Sequence, residues 1–142
     1  MFIIFKECDC DAKEILLYKG FCYDGLEKYD LSIEFYNKLL ALEPNHEIAF
    51  KAKGDVFWFQ NKKNESLDMY NNAIRINSKC VTAYLNKAAI LAEMNRGDEA
   101  MSCYDKLLEI NPLCSIAFDR KRKLFYKLNK NLAKQHFKEG EK

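Results

Sequence analysis

Residues that form turns are scarce in this sequence, which has five glycines and two prolines among 142 residues. This composition leaves little material for turns, whereas the many Leu, Ala, Lys, Glu and Asn residues favour helices. Hydrophobic residues make up 49% of the chain and aromatic residues 13%, which is enough to build the core of one domain. We therefore expect a single all-α domain.

Motifs that carry catalysis are also missing. The sequence has two histidines, His46 and His136, and neither stands at a recognisable spacing from a nucleophile or a metal ligand. It contains no glycine-rich phosphate loop, no HExxH segment and no GxSxG segment. We expect a protein that is not an enzyme and that holds no cofactor.

The first residues, MFIIFKECDCD, have no basic leader and only four apolar residues after Met1. This pattern predicts neither a secretory signal nor a membrane span.

The six cysteines fit reduced thiols in a cytoplasmic protein, since the chain can bury a core without disulfides. For the CxC pair of Cys8 and Cys10 the alternative is soft-metal or redox chemistry, but no second pair or nearby histidine completes a tetrahedral site, so we expect no metal.

Three segments of the chain repeat one pattern: EFYNKLLALEP at 34–44, DMYNNAIRINS at 68–78 and SCYDKLLEINP at 102–112. Their tyrosines, Tyr36, Tyr70 and Tyr104, follow one another at intervals of 34 residues. Units that begin at residues 13, 47, 81 and 115 align without an insertion, and positions within a unit are numbered from these residues. Large apolar residues stand at positions 4 and 11, and small residues at positions 8 and 20, of the first three units.

The spacing of apolar residues within each unit predicts two helices. Position 18 holds Asp30, Asn64 and Asp98, which we expect to cap the second helix of each unit. Pro44 and Pro112 are expected to end that helix in the first and third units.

This 34-residue pattern, over residues 13 to about 128, resembles the tetratricopeptide repeat. The resemblance implies an all-α, right-handed superhelical solenoid of helix-turn-helix units, with three full repeats, a fourth first helix and a C-terminal capping helix. The implied single domain has an N-terminal segment at 1–12, repeats at 13–46, 47–80 and 81–114, and a partial fourth repeat with the capping helix at 115–142. FIIF, at residues 2–5, is expected to pack against the first unit.

In this family the first helices line a concave groove, where peptides bind. The groove positions of this sequence carry aromatic residues towards one end and bases towards the other, which suits an extended peptide with an apolar anchor and an acidic group. The candidate groove residues are Tyr18, Phe21, Lys51, Asp55, Trp58, Asn86, Arg120 and Lys123.

One mechanism of the family clamps the terminal carboxylates of heat-shock chaperones between lysine, asparagine and arginine side chains. Lys51, Asn86 and Arg120 match positions of that clamp, whereas Asp55 and Ile116 replace an amide and a cation. The hypothesis that remains is a rearranged carboxylate site built from the three matching residues.

Position 7, where the family has a large apolar residue, holds Lys19, Lys53, Lys87 and Lys121. These lysines either form a row for an acidic partner or pack their stems between helices with the ammonium groups at the surface. We favour the second interpretation.

Together these patterns predict a non-enzymatic interaction module, an adaptor or scaffold, that binds a peptide segment of a partner protein in its groove. The alternative is a protein that assembles with itself through the solenoid ends. From Arg120 onwards nine Lys and Arg residues face two acids, a pattern that suggests nucleic acid, but the acidic body of the chain argues against that partner. We expect no membrane partner.

Overall fold

The computed structural model describes residues 11–140, so the predictions for FIIF and for Cys8 and Cys10 lie outside the described residues. This range folds into helices without a strand, which confirms the all-α prediction. The helices are α1 Ala12–Gly25, α2 Tyr29–Leu42, α3 Glu47–Phe59, α4 Lys63–Ile76, α5 Val81–Glu93, α6 Gly97–Ile110 and α7 Ser115–Gly140. The chain divides into two compact units, Met1–Met69 and Tyr70–Lys142, with the boundary inside α4.

Small residues at positions 8 and 20 bring paired helices into contact. Gly20 in α1 and Ser32 in α2 are both buried, and Ser32 Oγ donates to Gly20 O at 3.0 Å. The same hydrogen bond joins Ser66 Oγ to Gly54 O at 2.7 Å. The third unit has Ala88 and Ala100 at these positions, so its helices meet through methyl groups alone.

The repeated tyrosine of position 24 lies in the core of each unit. Tyr36 and Tyr70 are 0% exposed and Tyr104 is 3% exposed. Tyr36 packs with Ala52 and Val56 of α3. A buried tyrosine contributes a large apolar surface, so these rings account for much of the packing between successive helices.

The turn between the two helices of each unit depends on one residue with left-handed backbone. Glu27, Asn61 and Asn95 all stand at position 15, with φ of 57°, 59° and 59°. The next residue donates its backbone N–H to the carbonyl of the residue five positions earlier, as in Lys28 N to Tyr23 O at 2.9 Å. Each first helix therefore ends in a Schellman motif, with the left-handed residue just past the helix.

The predicted caps of the second helices are wrong. Helix α2 begins at Tyr29 after Lys28, and α6 begins at Gly97 after Arg96, without a side-chain cap at either residue. Asp30 and Asp98 stand inside the first turn, where a carboxylate favours the helix dipole. The prediction failed because the left-handed residue brings the next helix in two residues earlier than an Asx cap would.

Side-chain caps occur instead at the first helices of the first two units, whereas α5 has none at Cys80. Asp11 Oδ1 accepts from Lys13 N at 3.3 Å, and His46 Nδ1 accepts from Ala49 N at 3.1 Å. The second helices end as predicted before the prolines, α2 at Leu42 and α6 at Ile110.

The predicted fourth first helix and capping helix form one continuous helix, α7, of 26 residues. Its first half packs against α6 through Ala117 and Leu124, both buried. Leu128 then covers Gly97 at the start of α6, and a methyl group added to Gly97 would lie 2.6 Å from Leu128 Cδ2. From residue 129 to residue 140 every side chain is exposed.

Candidate functional site

In the compact unit Met1–Met69, which we call the first compact unit, the predicted groove residues lie on α1 and α3. Tyr18 and Phe21 are exposed on α1. On α3, Lys51 and Asp55 are half-buried and Trp58 is 38% exposed. Spacings of four and three residues place these three on one face of α3. Trp58 thus retains a solvent-facing surface, as a groove residue requires.

The charges of two carboxyl groups of the first compact unit, Met1–Met69, act on the buried hydroxyl of Tyr36. Burial and the charge of Asp55 raise the pKa of Asp24 above its usual value. Burial, with the charges of Asp24 and Asp55, raises the pKa of Tyr36 to about 12. Asp24, Tyr36 and Asp55, on α1, α2 and α3, form what we call the acidic site.

The hydroxyl of Tyr36 is buried without a hydrogen-bond partner among residues 11–140. Ser32 Oγ is near enough to lower the pKa of Tyr36, against the effect of burial, and it donates its own hydrogen to Gly20 O. The ring of Phe21 meets Tyr36 edge to face, with centroids 6.0 Å apart. The acidic site therefore combines an aromatic wall, two carboxyl groups and an unpaired hydroxyl.

A cleft of about 300 Å³ in the second compact unit, Tyr70–Lys142, brings two predicted residues together. Arg120 and Lys123 of α7 stand along it with Lys127, opposite Ala89 and Ala92 of α5. We call it the basic cleft; its other lining residues are Glu93, Tyr104 and Leu124.

Charged side chains within the basic cleft are held by near neighbours. Lys123 Nζ pairs with Asp119 at 2.9 Å, which with Arg122 keeps the pKa of Asp119 below its usual value. Burial raises the pKa of Tyr104, and the Arg120 guanidinium opposes that effect. Arg120 thus stands beside the phenol of Tyr104, with its exposed face towards solvent.

Asn86 lies on α5 of the second unit, where Asn86 Nδ2 donates to Tyr70 Oη at 3.3 Å. Lys51 belongs to the first unit, whereas Asn86 and Arg120 belong to the second. The rearranged carboxylate site that combines these three residues stays a prediction.

The two sites occupy equivalent positions of the repeat. Position 12 is Asp24 in the acidic site and Ala92 in the basic cleft; position 9 of the following first helix is Asp55 in one and Lys123 in the other. The tyrosine of position 24 belongs to both. Equivalent positions of the repeat thus carry acidic residues in the first compact unit and a basic residue in the second.

The lysines of position 7 reach across to a neighbouring second helix. Lys53 Nζ donates to Asn37 Oδ1 at 2.7 Å, and burial lowers the pKa of Lys53. Lys121 forms an ion pair with Asp105, the residue equivalent to Asn37. Lys19 lies 5.5 Å from the ring centroid of Phe35. These contacts favour the interpretation that the lysine stems pack between helices.

Sequence reasoning missed Asp24, Lys127 and the role of the repeated tyrosine. Asp24 stands at a position that faces the groove in the family, so its charge was available as a signal. The role of the tyrosine was not predicted, because periodicity alone does not show that Tyr36 belongs to the acidic site and Tyr104 to the basic cleft.

Two further features limit the chemistry of residues 11–140. No three His, Cys, Asp or Glu side chains gather there in a way that suits a metal ion. Within the same range, no helix has both the length and the hydropathy to cross a membrane.

Comparison with known proteins places the sequence and the fold in one family. The tetratricopeptide repeat model matches residues 14–46 and 81–112. Among curated proteins, none matches the sequence significantly.

Three solved structures show the same fold. The first TPR domain of Spaghetti (RPAP3), bound to the HSP90 peptide SRMEEVD, is 24% identical over 82% of this chain and 93% of its own, with a TM-score of 0.75. The MamA protein is 24% identical over 92% of this chain and 72% of its own, with a TM-score of 0.75. The Sgt2 TPR domain from Aspergillus fumigatus is 16% identical over 85% of this chain and 82% of its own, with a TM-score of 0.76. With its repeated pattern, its two matched repeats and this shared fold, the chain belongs to the tetratricopeptide repeat family.

Proposed function

We propose that this protein is a non-enzymatic interaction module that binds a peptide segment of a partner protein, and that the basic cleft takes an acidic side chain or a terminal carboxylate of that segment. The observation that carries this proposal is the basic cleft itself. Its three cations stand around a floor that includes Ala89, Ala92 and Tyr104. A small-residue floor leaves room for a chain, and the guanidinium of Arg120 can form paired hydrogen bonds with a carboxylate.

The comparisons support a peptide as the ligand. The TPR domain of Spaghetti is bound to a peptide that ends in Glu-Glu-Val-Asp, a strongly acidic segment. In this chain Asp55 replaces the amide expected in a chaperone clamp, so we propose an acidic peptide of a different sequence. The exposed aromatic residues Tyr18, Phe21 and Trp58 offer the apolar contacts that anchor such a segment.

The proposal is tested by selecting ligands from random 12-residue peptides displayed on phage. We expect the wild-type protein to enrich a family of peptides that share an acidic residue at one place. An Arg120→Glu, Lys123→Glu double variant should lose that family, because the two cations become repulsive. Asp98→Asn, outside the basic cleft, serves as a control for a change of charge.

Two results would contradict the proposal: the wild type enriches no peptide family, or the double variant enriches the same one. Circular dichroism and thermal melting of each variant establish that the fold is unchanged. The enriched sequence then directs a search for the natural partner, whose capture from a cell lysate should be lost with the same double variant.

A further inference from the structure

The acidic site of the first unit has the wrong charge for a carboxylate and the right surroundings for a cation. Asp24 and Asp55 stand at positions that, in the second unit, line the basic cleft. Both residues are half-buried, so solvent screens their charges less than at an open surface. A peptide carboxylate at this site would meet two like charges.

Tyr36 supplies an independent sign that the acidic site is incomplete. Its ring is 0% exposed, and its hydroxyl has no hydrogen-bond partner within residues 11–140. A buried polar group without a partner costs stability, and such groups are rare in folded proteins. The charges of Asp24 and Asp55 both raise the pKa of this hydroxyl, and Tyr36 packs against Val56, the residue next to Asp55 on α3.

Aromatic residues flank the same region. Phe21 is 40% exposed and packs its ring against Tyr36. Trp58 follows Asp55 by three residues on α3, so it shares the exposed face of that helix. Aromatic faces next to carboxylates attract ammonium and guanidinium groups through both charge and the ring quadrupole.

We propose that the acidic site binds a lysine or arginine side chain of the partner segment, a step that rests on the proposed peptide binding. The cation sits between the carboxylates of Asp24 and Asp55, and Phe21 packs along its aliphatic stem. The partner segment thus carries a basic residue in addition to the acidic group taken by the basic cleft.

The first test is a second selection from the same phage library with an Asp24→Asn, Asp55→Asn variant. Peptides enriched by the wild type should share a lysine or arginine at one place. The variant should still enrich peptides with the acidic residue, but without a preference at the basic place. Asp98→Asn again controls for the change of charge and should leave both preferences intact.

The second test is a thermodynamic cycle on one enriched peptide and a copy with norleucine in place of its basic residue. Fluorescence of Trp58, the one tryptophan of the chain, reports binding. For the wild-type protein, we expect the Kd of the norleucine peptide to be about tenfold higher than that of the original peptide. For Asp55→Asn the two peptides should differ less than about twofold, because the carboxylate that attracts the basic residue has been removed.

Different results separate this proposal from the proposed function. Enrichment of acidic peptides without a shared basic residue, or an equal loss with norleucine in wild type and Asp55→Asn, would overturn the cation site alone. Enrichment of no peptide family would overturn both. A shared basic residue lost only in the Asp24→Asn, Asp55→Asn selection supports the cation site.

Discussion

Glu27 is the residue whose conformation fits its side chain least well. It has φ of 57°, whereas the equivalent residues are Asn61 and Asn95, at 59°. Asparagine tolerates left-handed backbone better than glutamate does. Since the backbone is nearly the same in the three turns, the side chain at this position changes stability without changing the fold.

We expect Glu27→Asn to stabilise the protein by about 1 kcal/mol, because it relieves part of the cost of left-handed backbone. Urea unfolding at neutral pH measures the change. The matched variant is Asn61→Glu, which should destabilise the protein by a similar amount. Shifts of both variants in the same direction would show that the backbone conformation is not the cause.

Asp24 is expected to make stability depend on pH. Its pKa is raised above 3.8 in the folded state by burial and by Asp55, so the folded protein holds this proton more tightly than the unfolded chain. Stability therefore falls as pH rises from the unfolded pKa through the folded one. Above that window the ionised carboxylate is a net cost to folding.

Asp24→Asn should accordingly raise the free energy of unfolding at neutral pH, and the gain should vanish at pH values below 3.8. Urea titrations across that pH range give the comparison, with Asp98→Asn as the exposed control. A gain that is independent of pH would mean that the charge of Asp24 is not responsible. A carboxylate that is retained at a cost to stability is typical of binding sites.

At the scale of elements, the close contact of α1 with α2 depends on Gly20. A methyl group added there would lie 2.7 Å from Tyr36 Cδ1, in a ring that is fully buried. We expect Gly20→Ala to destabilise the protein by about 1–3 kcal/mol through overpacking. Gly25, at the end of the same helix, has open space around it. Gly25→Ala should instead be neutral or stabilising, by up to about 1 kcal/mol.

Thermal and urea unfolding of these two glycine variants distinguish packing from helix propensity. Destabilisation by both would indicate that alanine is poorly tolerated in α1 for a reason other than Tyr36.

The two halves of α7 should differ in what they contribute. The side chains of residues 131–140 are all exposed, so we expect a chain that ends at Lys130 to change the free energy of unfolding by less than about 0.5 kcal/mol. Leu128→Ala, which uncovers Gly97, should cost about 1–2 kcal/mol, less than a fully buried leucine. Circular dichroism should show the lost helix in the first variant only. A large loss of stability on truncation would contradict the exposed position of the last turns.

The sequence predicted some of these elements and missed others, depending on whether side chains or the backbone determine each element. Apolar spacing predicted the helices, because burial of one face fixes the helical period. The caps were wrong because the Schellman motif is a backbone arrangement, which an Asp or Asn at position 18 does not reveal; at residue 27 the left-handed glutamate also carries no turn signal. The continuity of α7 was missed because the segment after Leu128 has polar residues typical of a cap.

At the scale of the whole molecule, charge is distributed unevenly. From Arg120 to Lys142 nine Lys and Arg residues face two acids, although the net charge of the chain is +2. We expect the affinity for an enriched acidic peptide to fall several-fold between 50 and 300 mM salt, since the Debye length is about 10 Å at 0.1 M. Titrations by Trp58 fluorescence measure it, and Arg120→Gln should make the dependence shallower. An affinity that does not change with salt would contradict an ionic contact.

The candidate site was only partly predictable at this scale. Tyr18, Phe21, Trp58, Arg120 and Lys123 have the exposed surfaces that their positions suggested. The opposite charges of the acidic site and the basic cleft became visible only when side chains from three helices were brought together. A single repeat unit does not contain either site, so its sequence alone cannot show one.

The sequence of α7 also explains why residues 115–140 form one helix instead of a helix pair like those of the earlier units. Its residues 128–130, Leu-Asn-Lys, match the turns Gln-Asn-Lys at 60–62 and Met-Asn-Arg at 94–96, yet they remain helical. Six residues after the start of that triplet Lys134 occupies position 20, where Ser32, Ser66 and Ala100 are 0% exposed. A lysine cannot be buried there without a partner. Converting α7 into a helix pair, in evolution or by design, thus requires changing the residues beyond 130, whereas the turn triplet is already present.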